Sequence, residues 1–92
     1  MKVEITGRVL ELGEPFETKN GKMQEVVLVK KFINPETDET AENYYPVSLA
    51  PELTGKYQLN DKLKVTGYIN GRKSDQGKWF CSIYVRKAEK VK

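Results

Sequence analysis

The chain contains no histidine and a single cysteine, Cys81. Without histidine it lacks the commonest general base, the commonest nitrogen ligand for metals and any Ser-His or Cys-His nucleophile. One thiol forms no internal disulfide, and with no partner Cys or His there is no donor set for a structural zinc. No metal and no cofactor is therefore expected. Catalysis is disfavoured as well, because the carboxylates that could work in pairs fall in turns and on polar faces, where solvation explains them. Long apolar runs are absent too. Nothing approaches the ~18 residues of a membrane span, and the opening MKVEITGRVLEL lacks the roughly 7 to 15 apolar residues of a secretion signal. The expectation is a cytosolic protein that binds no membrane.

At 92 residues, 38% hydrophobic and 32% charged, the chain has material for one small domain with a thin core. A single domain over residues 1–92 is expected, with 87–92 as a frayed, charged tail. The net charge of +3 hides an asymmetry: residues 1–55 carry six basic and ten acidic side chains, residues 56–92 ten basic and three acidic. A cationic segment of this kind draws polyanions towards it, although a lysine-rich face that only confers solubility has the same composition.

Alternation organises the whole chain. Val3, Ile5, Gly7 and Val9 share one face of a first strand over Lys2 to Leu12, and Gly7 suggests a bulge or tight bend within it. Gly13 to Gly21 reads as turn, with Asn20-Gly21 as a tight-turn signal. Lys22 to Ile33 forms a second strand, apolar on both faces at Val26 to Val29, and the acidic stretch Glu36 to Glu42 reads as a solvated loop. A third strand follows at Tyr44 to Leu49, with Tyr45, Val47 and Leu49 inward and Pro46 hinting at an edge or bulge. Pro51 to Leu59 can hold at most a short helix or turn, since Gly55 interrupts it.

A fourth strand places Leu63, Val65, Gly67 and Ile69 inward, and a basic hairpin over Gly71 to Gly77 leads to a fifth, with Trp79, Cys81, Ile83 and Val85 alternating against Phe80, Ser82, Tyr84 and Arg86. Three strands, a short helix or turn, then two strands is the element order of the OB fold, a five-stranded Greek-key barrel that often holds oligonucleotides or oligosaccharides. An SH3-like barrel shares much of this order.

Two stretches resemble a known family. Residues 17–28, ETKNGKMQEVVL, are similar to the second strand of short bacterial proteins of the DUF3127 type, OB-fold proteins related to single-stranded-DNA-binding proteins and found largely in Bacteroidetes. Residues 59–72, LNDKLKVTGYINGR, followed by GKWF at 77–80, resemble that family's fourth strand and hairpin exit. With VEITGRV at 3–9 the resemblance covers most of the chain, although Asn60 stands where a glycine is usual. It implies an OB fold and single-stranded nucleic acid as ligand.

The residues themselves supply the two grips such a ligand needs, cations for phosphates and aromatic faces for bases. With Leu63, Val65 and Ile69 inward, Lys64, Tyr68, Arg72, Lys73, Lys78, Phe80, Tyr84 and Arg86 share one surface or its rim. Tyr44 and Phe32 are further candidates at strand ends. Trp79 is expected in the core beside Cys81, a small buried apolar residue, with a stacking platform as the other reading for the indole.

The aromatic group has alternatives at this point: base stacking, burial in a homodimer interface or under the 71–77 loop, or a reversed phase that makes Phe80 core. The expected function is binding of single-stranded DNA or RNA with little sequence preference by a homodimer or higher homo-oligomer. The alternative is a protein-interaction or assembly module that buries the same patch.

Overall fold

The computed structural model describes residues 1–19 and 21–91. Asn20, half of the expected tight turn, and Lys92 lie outside the described residues. The alternating segments form β1 (Lys2–Leu12), β2 (Phe16–Thr18), β3 (Gly21–Ile33), β4 (Thr40–Leu49), β5 (Lys62–Lys73) and β6 (Trp79–Lys90). They hydrogen-bond in the order β1-β5-β6-β4-β3-β2, and β1 also pairs with β3, which closes the sheet into a barrel. All pairings are antiparallel except β4 with β6. This is the expected all-β barrel of five long strands, with β2 as a small addition.

The inward residues are those that alternation assigns. Val9, Leu28, Leu49, Leu63, Val65 and Val85 are almost wholly sealed from water and form the centre of one cluster. The second strand's ambiguity resolves in favour of Val26 and Leu28, which face the core opposite Val47 and Tyr45. Val29 is buried too, on the outer face beside Arg8.

Segment 51–59 takes the turn form of the two expected there: Leu53 and Thr54 donate to the Ala50 carbonyl, Lys56 donates to that of Leu53, and Gly55 at φ +80° ends the series. Other expectations are corrected. The 13–21 stretch is not all turn, because Phe16–Thr18 pairs with Gly21–Met23 as β2. The acidic loop is shorter than expected: the turn spans residues 34–39, and Thr40 to Glu42 already belong to β4.

The bulge in β1 lies between Val9 and Glu11, not at Gly7. Gly7 is required for a different reason, since a Cβ there would stand 2.9 Å from the Val29 carbonyl oxygen. Nor is the C-terminal segment frayed from Lys87: β6 continues to Lys90, with Ala88 opposite Val65, and the Val91 amide donates to the Lys62 carbonyl.

β4 meets β6 only at Ser48–Tyr84 and Leu49–Val85. Beyond that seam the strands part into two arms, one made by the ends of β3 and β4, the other by the ends of β5 and β6. Pro46 sits where β4 has β3 on one side alone, the edge setting a proline tolerates.

One buried polar side chain ties the segments around this region together. Gln24, 6% exposed, donates from Nε2 to the Gly13 carbonyl at 2.9 Å and accepts at Oε1 from the Gly55 amide at 3.0 Å.

Candidate nucleic-acid interface

The β5–β6 hairpin is long because its tip is a tight loop. Ser74 donates its amide to the Lys78 carbonyl at 2.7 Å, Gly77 donates to Ser74 at 3.0 Å, and Gly77 adopts φ +82°. Register then fixes the faces. Tyr68 stands opposite Tyr84, Asn70 opposite Ser82 and Arg72 opposite Phe80, all on the side away from the core. Directly opposed residues have Cβ atoms roughly 5 Å apart, so each pair forms a contiguous surface.

Phe80 is 51% exposed and Tyr68 43%, whereas Tyr84 is half-buried. Lys64 and Arg86 share the outer face, and Lys2 joins it opposite Tyr68 on β1. Lys64 lies 4.0 Å from Glu4, an exposed ion pair that leaves its charge available to a stronger anion. Lys78 follows the tip of the arm, where its amide donates to Ser74 Oγ.

Two assignments change. Lys73 is not on the Tyr68–Phe80 face, because its register partner is Trp79, on the side that continues the core face. Trp79 is not core: it is 74% exposed, with the Lys73 ammonium 5.6 Å from its ring centroid. Cys81 is likewise exposed, contrary to its expected burial. The reason is common to both. β4 leaves β6 beyond Tyr84, and the inward face of β6 packs against the core only as far as Ile83, so residues 79–81 carry core-type alternation with no core beneath. The arm therefore presents an aromatic and a cation on each of its two faces.

Tyr44 and Phe32, on the other arm, are 56% and 37% exposed. Tyr44 donates its hydroxyl to Glu42 at 3.0 Å, and that carboxylate, by accepting the hydrogen bond and by its charge, raises the phenol above its ordinary value. The tip beyond them is acidic, with Glu36, Asp38 and Glu39 in the turn. Between the arms, a cleft floored by Val26, Val47 and Ile83 is flanked by Glu11 and Glu25 and lined by no lysine or arginine. Charge is thus segregated: a polyanion is repelled by the cleft and the β3–β4 tip and attracted to the β5–β6 arm.

A second cationic surface groups Lys30 and Lys31, which in sequence could supply charge beside Phe32, with two residues that sequence reasoning missed. Arg8, Lys30, Lys31 and Lys62 line a hollow where β3 diverges from β1. Arg8 also donates from Nη1 to Asn60 Oδ1 at 2.6 Å, across 52 residues of chain.

Among the described residues no group of three or more His, Cys, Asp or Glu side chains is placed to hold a metal, and no helix is long and apolar enough to cross a membrane.

No protein-family model matches the chain, and no curated protein does. The DUF3127 likeness therefore rests on the motifs alone. Solved structures do match. An SSB from Plasmodium falciparum, in complex with ssDNA, aligns with a TM-score of 0.71 at 20% identity over 98% of this chain and 91% of that one. A small single-stranded DNA-binding protein from Streptomyces coelicolor gives a TM-score of 0.72 at 15% identity, over 99% and 92%. The N-terminal domain of PriB from Thermoanaerobacter tencongensis, described as dimeric, gives 0.71 at 16%, over 99% and 96%. At these identities the likeness establishes the fold alone: this chain has the OB-type barrel that these structures share.

Proposed function

We propose that the protein binds single-stranded nucleic acid, DNA in the first instance, with little sequence preference and without catalysis. The observation that carries this reading is the outer face of the β5–β6 arm, where Tyr68–Tyr84 and Arg72–Phe80 are cross-strand pairs on an exposed surface. Lys64, Lys78 and Arg86 supply charge for the phosphates on the same side, while Trp79 and Lys73 offer a second stacking surface on the reverse. Every base has a π-face, so stacking of this kind reads no sequence. The nearby solved structures of ssDNA-binding proteins support the reading, and the absence of lysine and arginine from the cleft between the arms directs it to the arm.

The assembly belongs to the same reading. Val3 to Gly7 of β1 pair with β5 on one side and, among the described residues, with no strand on the other. A free edge of this length is a template for a second copy, and two barrels in one particle raise avidity without new contacts.

The test is fluorescence anisotropy of labelled oligothymidylate titrated with the protein at two salt concentrations, together with Tyr68→Ala/Phe80→Ala. That pair is preferred to any variant of the half-buried Tyr84 because both side chains are exposed. Stacking worth about 1 to 3 kcal/mol per base predicts a roughly 5- to 150-fold weakening per aromatic lost. Binding that is indifferent to salt, or unaltered in the folded double variant, points instead to a protein-interaction module that covers the patch with another chain.

A further inference from the structure

Outward residues line up across four strands, from the β3–β4 arm to the start of β5. Tyr44 is opposite Val29, Val29 opposite Arg8, and Arg8 opposite Lys62. The row spans about 14 Å at ~4.8 Å between strands. It borders the hollow of about 470 Å3 that Arg8, Lys30, Lys31 and Lys62 line where β3 parts from β1 after Val29. No acidic side chain lines this hollow. Two acids lie near it in register: Glu42, opposite Lys31, which accepts from Tyr44, and Asp61, next to Lys62, which lies 3.6 Å from Lys90. Four cations drawn from three strands, with an exposed aromatic at the border, outnumber these two acids and favour an anion in the space.

The hollow is also in line with the arm. On the outer face of β5 the sequence of side chains is Lys62, Lys64, Thr66, Tyr68, Asn70, Arg72. Lys62 lies about 20 Å along the strand from Tyr68 and about 33 Å from Arg72, at ~3.3 Å per residue. A phosphate backbone that leaves the arm and follows this face meets Lys64 on the way and ends in the hollow.

We infer that the hollow formed by Arg8, Lys30, Lys31 and Lys62 is a second phosphate-binding site, which holds the same nucleic-acid strand after it has left the β5–β6 arm. The inference rests on the single-strand-binding reading above and extends it: a strand has two separate anchorages on one barrel. A short strand occupies the arm alone. A long one spans both, which places the footprint towards the upper part of the roughly 4 to 16 nucleotides covered by single barrels of this type.

The experiment compares wild type with Lys30→Ala/Lys31→Ala/Lys62→Ala and with the charge-retaining Lys30→Arg/Lys31→Arg/Lys62→Arg, using oligothymidylates of about 6 and about 16 nucleotides. Affinity is read across a salt series, and thermal unfolding verifies the fold of each variant. The expected result is a slope of log K against log salt that falls by about 2 for the long oligomer in the alanine variant, at ~0.7 per phosphate contact. The short oligomer is unaffected, and the arginine variant behaves as wild type.

Equal slopes for wild type and the alanine variant with the long oligomer overturn the second site and leave the arm intact. Equal losses for short and long oligomers overturn it as well, because they show a general field and not a separate anchorage. If wild type binds neither length, the single-strand reading itself falls, and the second site with it.

Discussion

Gly67 has the least room for a side chain of the described glycines and offers the sharpest test of how the interface is built. It lies at the register shift between Thr66 and Gly67 in the β5–β6 pairing. A Cβ at this position would stand 2.5 Å from the Tyr84 carbonyl oxygen, 3.1 Å from its carbonyl carbon and 3.2 Å from Val85 Cα. All three are backbone atoms, so no flexible side chain can swing aside, and the strands must separate. Forced overpacking costs about 1 to 3 kcal/mol. Removing a glycine from the unfolded chain returns about 0.4 to 1 kcal/mol. The net expectation for Gly67→Ala is a loss of about 1 to 2 kcal/mol, or about 5 to 15 °C in Tm for a chain of this size.

Gly71, four residues further along the same strand, is the internal control. Its added Cβ would meet nothing closer than 3.8 Å, at the Phe80 carbonyl oxygen. Gly71→Ala should therefore raise stability by up to about 1 kcal/mol. Thermal unfolding followed by circular dichroism measures both variants. A Gly67→Ala protein as stable as wild type, or less perturbed than Gly71→Ala, would refute the reasoning that backbone approach at this bulge leaves no room for a Cβ.

Further outcomes follow from the same geometry. Gln24→Ala leaves the Gly55 amide and the Gly13 carbonyl without their buried partner and should cost about 1 to 3 kcal/mol in chemical denaturation. Leu28→Ala, at a site with no exposure, should cost about 2 to 5 kcal/mol by the same assay. Trp79, the chain's one tryptophan, should show solvent-exposed emission that acrylamide quenches and that single-stranded DNA protects; emission typical of a buried indole would contradict its position on the arm. Tyr44 should keep its proton to a higher pH than a free tyrosine, because Glu42 favours the neutral phenol. Since the folded form holds that proton more firmly, its contribution to stability is complete below the unfolded value of 10.0 and is lost as pH rises through the higher folded one. Ultraviolet titration should find Tyr44 shifted back towards the ordinary range in Glu42→Gln.

Alternation made the barrel readable, because one buried face per strand leaves its trace every second residue. Leu63, Val65 and Ile69 announce the inward face of β5, and with it the outward position of Tyr68. The same rule misplaced Trp79 and Cys81. Period two reports which residues share a face, but not how far the neighbouring strand runs, and β4 departs at Ser48. Of the basic hollow only Lys30 and Lys31 beside Phe32 show in the sequence, as an ordinary pair at a strand end; Arg8 and Lys62 come from two other segments and join them only where β3 parts from β1. β2 was missed for its brevity, three residues inside a stretch dominated by Gly13, Pro15 and Gly21.

The seam between β4 and β6 has a kinetic meaning. Hairpins β3–β4 and β5–β6 join neighbours in sequence and can form early, whereas Ser48–Tyr84 and Leu49–Val85 bring together residues 36 apart and must wait for both. With two residue pairs and the 2.9 Å bond from the Ala50 amide to the Val85 carbonyl, it is the narrowest join in the closed sheet and the natural place for the barrel to breathe. Tyr84 belongs both to this latch and to the candidate binding face. A strand stacked there would hold the latch shut, so occupancy should be legible as slower hydrogen exchange at the buried Ala50 amide that spans the seam.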